Sequence, residues 1–319
     1  MALKKNLIEL DDILAAREVI AGRVHRTPVM RSSYLGEQAG VQLFLKLELF
    51  QKTGSFKPRG VLNKLHHLSP GDKQKGVITL SAGNHAQALA WAATQSGIPS
   101  TVVMPATSVR SKVEATRTYG GEVVLTEGDV LEACVTIQKE RGLTLVHPFD
   151  DPLIIAGQGT VGLEILEDVP QVEAVVVGIG GGGLISGIAT ALKAKNPEVK
   201  VIGVEPEGAS AMTQSLQRGE PVHLDRVDSV ADGLAAPFVG QHTLAHVQVY
   251  VDDLVIVRDQ EIVEAMGLIL ERCKVLAEPA ASSTVAALLS GKVSLRRGST
   301  VVCVLSGGNI DRERLKVLL

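Results

Sequence analysis

Short runs of β-branched residues alternate along this chain with helix-length segments, and no other feature constrains the fold as tightly. GVITL (76–80) precedes a helix-like stretch at 84–95, STVVMP (100–105) precedes 108–119, and EVVL (122–125) precedes 129–141. LTLVHP (143–148) closes this first series. A second series begins at 163–167 and continues through EAVVVGIG (173–180), the stretch 184–195, KVIGVEP (200–206) and VYVDDLVIV (249–257). It ends with STVVCVLSGGN (299–309). Apolar strands separated by amphipathic helices predict an α/β protein with open, twisted, mostly parallel sheets covered by helices on both faces. With 319 residues the chain exceeds what one core usually holds. The expected division is a large domain of 1–52 and 149–319 and a small domain of 53–148, with the ligand cleft between them.

Composition removes several function classes. Hydrophobic residues at 45% and charged residues at 21% are ordinary for a soluble globular chain. No apolar run reaches transmembrane length. A net charge of -3 gives no reason to expect nucleic acid or anionic membrane as a partner. The start, MALKKNLIELDDILAAREVIAG, is interrupted by acidic residues and reads as an amphipathic helix, not a signal peptide. Cys134, Cys273 and Cys303 are far apart and read as small hydrophobes in a reducing, cytoplasmic compartment. His147 and the pair His66 and His67 lack metal-ligand spacing and read as structural or surface residues.

Four segments carry chemistry. GIGGGGLISG (178–187) follows an apolar strand and opens a helix. Glycines let the backbone close on an anion, and the first free helix N–H groups point at it. Gly180, Gly181, Gly182, Gly183 and Leu184 thus form a candidate phosphate site, and sugars, nucleotides and pyridoxal phosphate all remain open on this ground alone. No Gly-Lys-Ser/Thr follows, so the loop is not a P-loop. The second segment is GSFKPRG (54–60), where a desolvated Lys57 becomes a nucleophile and Arg59 is placed to help lower its pKa. The third, SAGNHAQ (81–87), offers backbone N–H groups to a carboxylate, or a plain helix cap through Ser81 or Asn84. The fourth, SGGN (306–309), ends the last apolar strand, where strand ends line a ligand crevice.

The set GSFKPRG, SAGNHAQ, HPFDDPLIIAGQGT, GIGGGGLISG, VEPEG, AEPAA and LSGGN, in this order, resembles the fold type II pyridoxal-phosphate enzymes. Within them it is most similar to the threonine dehydratase and serine racemase group, over about residues 25–309. The resemblance implies the tryptophan synthase beta-like fold. It implies pyridoxal 5'-phosphate on Lys57 as a Schiff base, with Phe56 packed near the ring. Asn84 matches the residue that hydrogen-bonds the ring 3′-oxygen, Gly180–Gly183 and Leu184 match the phosphate cup, and Ser306 faces the ring nitrogen. Ser81, Ala82, Gly83, Asn84 and His85 match the loop that grips the substrate carboxylate. Asp232, Gly233 and Glu278 match positions lining the site, Glu278 with helix capping as its simpler role.

The implied reaction is β-elimination from L-threonine or L-serine, giving 2-oxobutanoate or pyruvate and ammonia, with Lys57 as the base at Cα. A serine hydroxyl at 306 cannot enforce a protonated ring nitrogen, which suits elimination over a long-lived carbanion. Serine racemase and 3-hydroxyaspartate dehydratase are the alternatives, and a non-catalytic phosphate-binding protein is the remote one. Serine racemases carry a second serine where this chain has Ala82, so the resemblance argues against racemisation. The motifs also supply no cation for a second substrate carboxylate. Some relatives hold Mg²⁺ or Ca²⁺ through a Glu, a carbonyl and an Asp. Glu205 and Ala209 match the first two, but Ala211 replaces the Asp, which argues against the cation. The chain stops soon after SGGN, as in the short, catabolic type without a regulatory extension. A homo-oligomer, dimer or tetramer, is implied by the resemblance.

Overall fold

A strand that is apolar at every position needs cover on both faces. In the computed structural model, which describes residues 7–319, the strand Thr300–Leu305 is apolar from Val301 onward and buried at all of its positions. It lies inside a six-stranded sheet. The spatial order is β1 (Val29–Arg31), β2 (Gln42–Leu47), β10 (Thr300–Leu305), β7 (Ala174–Gly178), β8 (Lys200–Pro206) and β9 (Asp253–Val257). Only the β1–β2 pairing is antiparallel. A second, four-stranded sheet has the order β5 (Glu122–Thr126), β4 (Ser100–Pro105), β3 (Val77–Leu80) and β6 (Thr144–Leu145), all parallel.

The strand period of two divides each central strand between two cores. Val301, Cys303 and Leu305 join one apolar cluster with Ala174 and Val176. Val302 and Val304 join the other with Val175 and Val177. Each fully buried valine contributes about 1.5–3 kcal/mol. Together they place β10 in the middle of the sheet, although it comes last in the chain.

That insertion positions the site. β10 pairs in parallel with β2 on one side and β7 on the other, so their carboxyl ends emerge on one edge. The three ends lead into 48–57, 178–183 and 306–309. The helices that follow are held by close glycine contacts. Gly157 stands against Gly60, and Gly159 against Gly187, with no room for a side chain at either place. Helix Pro152–Asp168 thereby clamps helix Pro58–His66 and helix Gly183–Lys195.

Several expected elements differ in detail. Residues 163–167, where the second series was expected to begin, lie in the last turns of helix Pro152–Asp168. The apolar 249–250 finish helix Gln241–Tyr250, and β9 begins only at Asp253. The β1–β2 pair had no clear signal because β2 carries Lys46. That lysine is fully buried and donates to Glu164 at 2.6 Å and to the Thr27 carbonyl at 2.7 Å. The amphipathic N-terminal helix is present at Leu10–Ile20 and buries Ile13, Ala16 and Ile20; the part of that reading at 1–6 lies outside the described residues.

Candidate active site

Lys57 immediately precedes Pro58, the first residue of helix Pro58–His66, where a proline costs no hydrogen bond. Its Nζ donates to the Pro148 carbonyl at 2.7 Å and lies 5.1 Å from the centre of the Phe56 ring. Burial lowers its pKa to about 8, and the charge of Glu278 pulls the other way. Arg59 does not contribute, contrary to expectation. Its guanidinium points away into a buried network, bonded to Glu48 at 2.9 Å and to Glu164 at 2.7 Å. Two carboxylates neutralise its charge, so desolvation alone makes Lys57 a weaker base than an ordinary lysine.

The glycine loop closes the same space. Gly182 has φ +91 and precedes helix Gly183–Lys195, with no side chain capping the helix start. The first N–H groups of a helix have no acceptor within it, so they remain available to an anion. A Cβ at Gly181 would overlap the Phe149 ring, and one at Gly183 would meet the same residue. Phe149 follows Pro148, the acceptor of Lys57, so the amine and the loop are set in register by adjacent residues. Pro148 and Phe149 had no assigned role in the sequence reading, although both lie in the quoted HPFDD segment.

Asn84 begins helix Asn84–Gln95, and the cap position is Gly83, so neither Ser81 nor Asn84 caps the helix. The Asn84 amide instead donates to Glu278 at 2.8 Å and accepts from Asn309 at 2.8 Å. Glu278 occupies the cap position of helix Pro279–Leu289, but its carboxylate does not cap that helix. Burial raises its pKa to about 7, with the Asn84 hydrogen bond opposing. Ser306 is buried, and its carbonyl accepts from the Phe56 N–H at 3.1 Å. Ser55 forms a bridge to Gly307, so the lysine segment and SGGN run side by side.

In the 81–85 loop, Gly83 N–H donates to Ser81 Oγ at 3.3 Å. His85 bonds the Val146 carbonyl at 3.0 Å through Nε2, and burial followed by the charge of Lys57 lowers its pKa to about 3. It is therefore neutral, with Nε2 carrying the proton. Ala82 is half-buried and carries no hydroxyl. Gly233 lies near Gly180 and near Glu278, while Asp232 is half-exposed and pairs with Lys112 at 3.2 Å and Arg314 at 2.9 Å. His147 Nδ1 accepts from the Asp150 N–H at 2.8 Å.

The Glu205 carboxylate anchors the start of helix Ala211–Arg218. Both carboxylate oxygens are already engaged, by the N–H of Met212 at 2.7 Å, the N–H of Thr213 at 2.8 Å and the Thr213 hydroxyl at 2.6 Å. Among the described residues no group of three or more His, Cys, Asp or Glu is arranged to hold a metal.

A desolvated lysine amine, a glycine loop packed too closely against Phe149, Met212 and Thr243 to admit a Cβ, and a set of neutral donors meet at one sheet edge. That combination defines an enzyme that couples lysine chemistry to a phosphorylated cofactor, and it fits pyridoxal phosphate. The chain belongs to the pyridoxal-phosphate-dependent enzyme family, whose model matches residues 20–307. It is 48% identical to an L-threonine ammonia-lyase of Thermotoga maritima over 96% of this chain and 76% of that one. It is 43% identical to a catabolic L-threonine dehydratase of Staphylococcus aureus over 97% of this chain and 91% of that one. The structure of maize serine racemase superposes with a TM-score of 0.93 at 41% identity, covering 97% of this chain and 96% of that one.

Proposed function

We propose that this chain is a hydroxy-amino-acid ammonia-lyase. It takes L-threonine to 2-oxobutanoate and ammonia, or L-serine to pyruvate and ammonia. The atoms balance, because the Cα proton and the β-hydroxyl leave as water, and one water is taken up when the imine nitrogen leaves as ammonia. The carrying observation is the buried Lys57 amine bonded to the Pro148 carbonyl at 2.7 Å while the adjacent Phe149 packs on the glycine loop; burial lowers the amine's pKa to about 8. A base with a pKa near working pH is suited to move one proton at Cα. When bound, pyridoxal phosphate supplies the electron sink that makes that proton acidic.

The chain's own residues have the following proposed roles. Lys57 holds the cofactor and then carries the Cα proton. Gly180–Gly183 and the Leu184 N–H hold the phosphate, and Phe56 packs at the ring. Asn84 donates to the ring oxygen. Ser306 meets the ring nitrogen with a hydroxyl, which does not enforce a charge there. Ser81 to His85 receive the substrate carboxylate through backbone N–H groups at the start of a helix, where an anion is favoured. The neutral His85 adds no competing cation. Ala82 offers no proton to the opposite face of Cα, which favours lyase over racemase chemistry despite the likeness to serine racemase.

We also read the protein as cytoplasmic and as a homo-oligomer. Cys134, Cys273 and Cys303 are free thiols, which fits a reducing compartment. Among the described residues no helix is long and apolar enough to cross a membrane.

The test is a substrate panel of L-threonine, L-serine, D-serine and the 3-hydroxyaspartate isomers, assayed for keto acid and for inversion. Keto acid from L-threonine or L-serine is expected to dominate, and Lys57→Ala is expected to abolish it. D-serine formed from L-serine as fast as pyruvate would favour the racemase reading instead.

A further inference from the structure

A carboxamide has a donor edge and an acceptor edge of nearly the same shape, so its surroundings must decide which way round it lies. For Asn84 that decision is made at Thr53. A backbone carbonyl can only accept, and the Thr53 carbonyl takes a hydrogen from Asn309 Nδ2 at 2.7 Å. The same nitrogen faces Asn84 at 2.8 Å, so the atom it meets there must be the acceptor, Oδ1. Asn84 Nδ2 then lies on the other edge, 2.8 Å from Glu278 Oε1. One obligatory acceptor thus orients two amides in sequence.

The local backbone is built for this chain of contacts. Thr53 has φ 61, a left-handed conformation that is rare for a β-branched residue. Gly54 follows with φ 72, and a Cβ there would overlap the Asn309 carboxamide. A Cβ at Gly307 would overlap the Glu278 carboxylate and crowd Asn84 Nδ2. The relay therefore joins the lysine segment, the asparagine loop, the Glu278 helix start and the closing SGGN turn.

We propose that Asn309 is a positioning residue that holds the Asn84 carboxamide with its donor edge toward Glu278, keeping a donor in place for the cofactor oxygen assigned to Asn84. The inference rests on the cofactor reading above. Asn309 touches neither substrate nor cofactor in this role. It acts through Asn84, and the strained Thr53 backbone gives the relay its direction.

The test compares the native protein with Asn309→Asp and Asn309→Ala. Each is stripped of cofactor and titrated with pyridoxal phosphate across a pH series, and its Tm is recorded. An ionised aspartate offers only acceptors, so it opposes the Thr53 carbonyl and draws the Asn84 nitrogen toward itself. Asn309→Asp is expected to bind the cofactor about ten- to a hundredfold more weakly than native, and more weakly than Asn309→Ala. The deficit should shrink as the pH is lowered, because a protonated carboxyl can donate. Losses that follow Tm alone in both variants, with no pH component, would overturn the proposal. If Asn309→Asp does not fold, native protein labelled with ¹⁵N-asparagine carries the test. Slowly exchanging side-chain amides at Asn84 and Asn309 are expected, and exchange at the rate of surface asparagines overturns the relay. A native protein that binds no pyridoxal phosphate overturns the cofactor reading as well, whereas variants equal to a functional native protein overturn only the role of Asn309.

Discussion

Lys57 Nζ donates to the carbonyl of Pro148 at 2.7 Å, and the next residue, Phe149, fills the space beside Gly181 and Gly183. The amine and the proposed phosphate cup are therefore spaced through one short segment, 148–149. A shift in that segment would move the nitrogen and the loop relative to each other.

The first prediction concerns the proton on Lys57. Burial lowers its pKa from 10.5 to about 8, while Glu278 acts to raise it. Replacing Glu278 by Gln removes the raising charge, so the Lys57 midpoint should move further down. The unfolded chain keeps this proton up to 10.5, so the folded, cofactor-free protein binds fewer protons between about 8 and 10.5. Its stability contribution from this group should rise over that window. Labelling of Lys57 by an amine reagent across pH, read by peptide mass spectrometry, checks the midpoint; a value at that of an ordinary lysine would refute the desolvation account.

Gly181→Ala should weaken both folding and cofactor binding. The new methyl overlaps the Phe149 ring, and overpacking of this kind costs about 1–3 kcal/mol. Displacing Phe149 distorts the loop, so the pyridoxal phosphate Kd should rise about tenfold or more. Equilibrium titration of cofactor-free protein decides it, with unchanged affinity as the contrary result.

Arg59→Met should destabilise the fold by about 3–5 kcal/mol, because Glu48 and Glu164 are left as buried charges short of a partner. Urea unfolding of the cofactor-free protein gives the value. A loss below about 1 kcal/mol, the range of an exposed pair, would mean that the network is solvated in solution.

Glu205 should behave as a helix anchor and not as a metal ligand. Glu205→Ala removes the acceptor of Met212, Thr213 and its hydroxyl, and should cost about 1–3 kcal/mol. A chelator should leave both turnover and Tm of the native protein unchanged. A Tm that rises with added Mg²⁺ or Ca²⁺ would contradict this.

The parallel α/β class, the strands at 100–105 and 200–206 and the glycine loop were legible in the sequence because each depends on local pattern. A strand buried on both faces must be apolar throughout, and a backbone that closes on an anion must be glycine. Lys57, Asn84 and Ser306 were legible only as parts of an ordered set of motifs. The antiparallel β1–β2 pair was not legible, because the buried Lys46 breaks the apolar pattern and its partner Glu164 lies far along the chain.

By itself, then, the sequence determined the alternation of strands and helices, and the residue types at the sheet edge. Their local propensities and ligand chemistry do not depend on distant partners. Tertiary structure alone decided that β10 enters between β2 and β7, bringing 306–309 beside the lysine segment and the glycine loop. It also turned Arg59 away from Lys57 and toward Glu48 and Glu164, and oriented Asn84 through Asn309 from the Thr53 carbonyl. The direction of a charge or an amide depends on which opposing charge or acceptor lies within reach, and only packing brings those groups together.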